Sequence, residues 1–159
     1  MKISYINNFN TNFKARYNTQ DVIMLATKCP YKNRDTDKII KSLTGLDIYS
    51  KELKDEITPK GGNDAFVGFA IEDICEQRVI EQVPKLKETR EEYIKVMRDI
   101  MDEKSRTEWI DKQAKKFGKT IKLNPFTITK EEIKKGYEFW EKLVADVQQM
   151  LWKMDREGK

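Results

Sequence analysis

The sequence predicts an α+β fold, predominantly helical, in a single domain with an N-terminal β-hairpin and a long C-terminal amphipathic helix packed on a helix pair. Three observations predict it. Strictly alternating apolar residues cluster near the N-terminus, capping signals followed by helical periodicity fill the middle, and residues 130–155 carry a nearly perfect apolar heptad. A chain of 159 residues is long enough to bury one core, so one domain is expected over 1–159, with a small α/β part in 1–60 and a helical body in 61–159.

Ile3 and Tyr5, then Phe13, Ala15 and Tyr17, alternate with polar neighbours on either side of the turn-rich NNFNTN. That is the pattern of two short strands in a hairpin. Val22, Ile23, Leu25 and Ala26 form a short apolar run that periodicity alone assigns to neither helix nor strand; Thr19, as a cap, favours helix. After a loop at CPYKNRD, Asp35 or Thr36 caps a short helix through Ile39, Ile40 and Leu43 that ends before Gly45. A second short helix covers part of YSKELKDEI and stops at Pro59 and the Gly61-Gly62 pair.

Asn63 or Asp64 caps a third helix that runs to Val83, where Pro84 breaks it. Apolar residues from Phe66 to Val83 surround much of its circumference, so it is the expected central helix. Thr89 and Glu92 stand in a capping-box relation and open a helix with Tyr93, Met97 and Ile100 on one face. Ser105 and Glu108 repeat the relation, marking a kink or a new helix that Gly118 stops. KTIKLNPFTI then reads as a short edge strand or an extended connector.

A third capping box, Thr129 to Glu132, starts the final helix. Ile133, Tyr137, Trp140, Val144, Val147, Leu151 and Met154 follow at the a and d spacing of a helix packed along one seam. Phe139, Leu143 and Met150 widen that seam beyond a strict two-stranded coiled coil. The helix is therefore expected to pack mainly against the chain's own helix 89–117 in an antiparallel hairpin, with self-association as the lesser alternative.

Composition narrows the function classes. The 31 basic and 27 acidic side chains nearly balance, so no overall field commits the chain to nucleic acid or anionic lipid. The basic excess is local, 11 against 7 in residues 1–60. No apolar run suits a membrane span and MKISYINNFN lacks the apolar region of a secretory signal, so a cytoplasmic protein without membrane contact is expected. Cys75 is expected to be a buried thiol and Cys29 a more exposed one. The absence of histidine removes Ser-His-Asp and Cys-His systems and His-ligated metals. No catalytic residue, metal site or cofactor is expected.

Several clusters can still carry function, and each has a plainer reading. Lys14, Arg16, Tyr17, Tyr31, Lys32 and Arg34 mix cations with aromatics, the composition that touches phosphate and stacks bases, and also that of protein hot spots or of ordinary surface scatter. Glu88, Glu92, Asp99, Asp102 and Glu103 fall on one side of a helical wheel, an acidic face for a partner's basic surface or a solvated stripe. Glu72, Asp73 and Glu76 could hold a metal, or line the polar side of the central helix. Gly61-Gly62 before a helix could receive phosphate or form a simple loop, and Cys29 beside Lys28 could be a nucleophile or an incidental thiol.

In size, in its Lys-, Ile- and Asn-rich composition, in its α/β N-terminal part and in its charged helices, the chain resembles the small anti-CRISPR proteins of Gram-positive phages and mobile elements. Those inhibitors share no common fold or signature, so no residue is carried over. The resemblance implies a non-enzymatic inhibitor that binds a nucleic-acid-processing protein, a CRISPR effector nuclease, by stoichiometric protein–protein contact. The alternative is a small DNA- or RNA-binding accessory protein using the basic N-terminal patch. A metal-dependent nuclease built on Glu72, Asp73 and Glu76 ranks third.

Overall fold

A computed structural model describes residues 19–27, 36–99, 102–118 and 127–158. Among them are seven helices: α1 (Thr19–Ala26), α2 (Thr36–Thr44), α3 (Lys51–Ile57), α4 (Ala65–Gln82), α5 (Lys85–Asp99), α6 (Glu103–Phe117) and α7 (Lys130–Arg156). Helix accounts for 81% of the described residues and none of them is in a strand, which corrects the α+β expectation to all-α. A strand needs a ladder partner for its backbone groups, and these elements satisfy theirs internally. The expected hairpin at 3–17 and most of the expected connector, 119–126, lie outside the described residues. The ambiguous run at Val22 is helical.

Local chemistry sets most helix ends. Ser50 caps α3 through its hydroxyl, which accepts from the Leu53 N–H at 3.1 Å. The Asn63 side chain accepts from the Ala65 N–H at 3.0 Å and starts α4. Gly45 adopts φ 72° after α2 and Gly61 φ 80° between α3 and α4, backbone conformations that side chains with a β-carbon resist. Two expected starts move: α6 begins at Glu103 with Asp102 as its cap and not at Ser105, and α5 begins at Lys85, directly after Pro84, and not at Thr89. Proline breaks the helix before it but its fixed φ suits the first turn of the next. Thr89 then lies inside α5, buried, with its hydroxyl donating to the Lys85 carbonyl at 3.1 Å.

The chain divides into two compact units, and the division falls within α4. The first, Met1–Asp47 with Cys75–Thr127, holds α1, α2, the end of α4, α5 and α6. Its core joins Val22, Ile23 and Ala26 of α1 to Val79, Val83, Leu86 and Phe117. Tyr93 is buried with its ring 5.4 Å from that of Trp109. Glu76, also buried, is held by Arg90, whose Nε lies 3.0 Å from its Oε1; a carboxylate taken out of water needs such a cation beside it.

The second unit, Ile48–Ile74 with Ile128–Lys159, holds α3, the first half of α4, and α7. The first turns of α7 pack against these short neighbours. Ile133 and Tyr137 are buried, Tyr137 meets Phe66 edge-on at 5.6 Å, and its hydroxyl accepts from the Asn63 N–H at 2.9 Å. Within this unit the start of α7 is covered by α3 and α4; the expected partner, 89–117, belongs to the other unit.

Candidate functional site

The capping box that begins α7 forms as the sequence predicts: the Glu132 N–H donates to the Thr129 hydroxyl at 3.2 Å, and the Thr129 N–H donates to Glu132 Oε2 at 3.1 Å. From there α7 runs 27 residues, about 40 Å at 1.5 Å per residue. Its neighbours in the unit are shorter. α3 has 7 residues, and only the part of α4 up to Ile74 belongs here.

The apolar seam therefore divides. Trp140 and Val144 are half-buried; Trp140 Nε1 donates to Asp73 Oδ2 at 2.6 Å, and its ring lies 5.2 Å from Phe69 and 6.0 Å from Phe139. Beyond this aromatic junction, Phe139, Leu143, Val147, Met150, Leu151 and Met154 are each between 40% and 59% exposed. On an ideal helix these six fall within an arc of about 120°. They form one continuous stripe that carries no charge. Trp152, likewise exposed, falls on the other side of the helix.

The residues around the stripe are charged but balanced. Between 139 and 156, Glu141, Asp146 and Asp155 oppose Lys142, Lys153 and Arg156. An interfacial membrane helix pairs its apolar face with a cationic one, and that feature is missing. No described helix is long and apolar enough to cross a membrane. The stripe is at the upper end of the apolar surface that a monomer leaves in water.

The other candidates fare differently. Lys14, Arg16, Tyr17, Lys28, Cys29, Tyr31, Lys32 and Arg34 lie outside the described residues. Glu88, Glu92 and Asp99 are exposed on α5, but α5 ends at Asp99. Asp102 instead caps α6, accepting from the Ser105 N–H and hydroxyl at 2.9 Å each, and Glu103 is the first residue of that helix. The acidic stripe is thus split between two elements. The Ser105 backbone N–H above all, with its hydroxyl, holds the Asp102 carboxyl below its ordinary value.

Glu72, Asp73 and Glu76 do not converge. Asp73 receives the Trp140 indole and Glu76 the Arg90 guanidinium, and no three acidic or cysteine side chains among the described residues are placed to hold a metal. At the glycine pair, the Gly62 N–H donates to the Pro59 carbonyl and the Asn63 N–H to Tyr137. Those donors already have partners within the protein, so this is a capped loop and not a phosphate nest. Cys75 is buried, as expected.

The open stripe was missed as a site because its spacing is the same whether or not something covers it. What decides it is the length of the neighbours in the unit: α3 and the part of α4 up to Ile74 are each shorter than α7. No protein-family model, no curated protein and no solved structure matches the chain.

Proposed function

We propose that this protein acts by binding other protein, without chemistry of its own, and that it inhibits a nucleic-acid-processing protein of the CRISPR effector nuclease class. The uncharged stripe on the distal half of α7 supports protein contact in general, not the contact with the target itself, because apolar surface left in water at this scale marks a contact region. The resemblance in size, composition and charged helices supplies the class of target. Glu88, Glu92 and Asp99, exposed on α5, suit a target whose own surface is basic because it holds nucleic acid.

Titrating the purified chain into a DNA-cleavage reaction of a purified effector nuclease tests this reading. The expected result is a loss of cleavage that saturates near one chain per effector and weakens when Glu88→Lys and Glu92→Lys are combined. Cleavage that persists at large excess of the chain removes the proposed target. Salt-sensitive binding to free duplex, without effect on the nuclease, would favour the nucleic-acid-binding alternative.

A further inference from the structure

We infer that the occupant of the α7 stripe is a second copy of this chain, bound antiparallel through the same stripe. This rests on reading the stripe as a protein-contact surface, and three observations select the occupant. The first is charge. The stripe is neutral and its border balanced, so it can face its own copy without setting like charges against each other at the centre. A strongly basic or acidic partner would find nothing complementary there.

The second is area. Six large side chains at 40% to 59% exposure present on the order of 600 Å² of surface, the upper end of what a monomer leaves in water. Two such faces together supply about 1,200 Å², the lower limit for a specific and stable interface. The pairing therefore lies at the small end of specific interfaces.

The third is the register. The a and d spacing that α3 and α4 cover at Ile133 and Tyr137 continues unbroken through Val144, Val147, Leu151 and Met154, and a repeat of that period fits another helix. In a parallel pair, each copy's α3 and α4 would compete for the same space at one end of the seam. An antiparallel pair puts them at opposite ends. It sets Val147 against Leu151 of the second copy and Val144 against Met154.

Sedimentation of the full chain over about 1 to 200 µM, spanning the range expected for a weak interface, tests the pairing. A reversible monomer–dimer equilibrium is expected, and Val147→Glu with Leu151→Glu should leave monomer throughout, with unchanged circular dichroism because both sites are exposed. In a Cys29→Ser background, chains carrying Val144→Cys should cross-link to chains carrying Met154→Cys under mild oxidation and not to themselves, because the antiparallel pair sets those two positions together. A wild-type chain that stays monomeric across the range overturns the proposal, and cross-links that form between two Val144→Cys chains in place of the mixed pair overturn the antiparallel arrangement. The nuclease assay reads independently: a monomer that inhibits leaves the proposed function standing, and a dimer that does not inhibit leaves this inference standing without its target.

Discussion

Gly136 of α7 lies so close to Ala70 of α4 that a β-carbon on Gly136 would come within 2.6 Å of the Ala70 Cβ and 3.3 Å of its Cα. Two opposing effects meet at this position. Alanine is favoured over glycine inside a helix by about 1 kcal/mol, whereas overpacking a close contact costs about 1 to 3 kcal/mol. The contact atoms belong to a backbone and its first carbon, which cannot swing aside. Gly136→Ala should therefore destabilise the protein by about 1 kcal/mol net in denaturant titration, against the propensity scale. A stabilised variant would mean that α7 does not approach α4 this closely.

The bond from Trp140 to Asp73 makes a second prediction, because it ties the last covered turn of α7 to α4. A hydrogen bond to a charged group contributes about 1.5 to 3 kcal/mol when enclosed, and less when half-exposed as here. A double-mutant cycle of Trp140→Phe and Asp73→Ala should give a coupling energy of about 1 kcal/mol. Additive losses would show that the bond is not maintained in solution.

Those two contacts also mark what the sequence could and could not reveal. The Thr129–Glu132 box, the Gly45 stop and the Asn63 cap were legible because each is decided within about four residues by local hydrogen bonds. Thr89 to Glu92 shows the same signature yet caps nothing, because Pro84 has already started α5 four residues before Thr89. Coverage of a seam is a different kind of fact. Ile133 and Leu151 hold equivalent places in one apolar register, and only the lengths of α3 and α4 decide which is buried. The acidic face failed for a related reason: a helical wheel assumes one helix, and the chain ends α5 and spends Asp102 on a cap.

Asp102 also makes the prediction for acid. Its carboxyl is held below the ordinary 3.8 by the Ser105 N–H, so folding favours the ionised form. The stabilisation is present in full above the unfolded value and is lost as pH falls through the lower folded value. Asp102→Asn should remove that share of the acid dependence below about pH 4 while leaving the neutral-pH fold intact, with asparagine still able to cap. Unfolding curves recorded from pH 5 down to pH 2 should therefore run closer together for the variant than for the wild type. Equal slopes would show that the cap draws nothing from the charge.

The division of the α7 seam makes the last prediction. Ile133 is fully buried and Leu151 is about half exposed, although both occupy the same apolar register. Removing a buried isoleucine to alanine costs about 2 to 5 kcal/mol, through lost transfer energy and the cavity left behind. A half-exposed leucine at the surface has far less of either to lose, so Leu151→Ala should cost no more than about 0.5 kcal/mol in a dilute sample. The second copy adds a condition. Binding the folded state raises apparent stability with concentration, so the loss for Leu151→Ala should grow as the chain is raised past the dimer Kd, while the loss for Ile133→Ala should not. Denaturant titrations of both variants at two concentrations separate the cases. A large loss for Leu151→Ala at the lower concentration would mean that the stripe is already covered within the single chain, leaving no open face for a second copy to take.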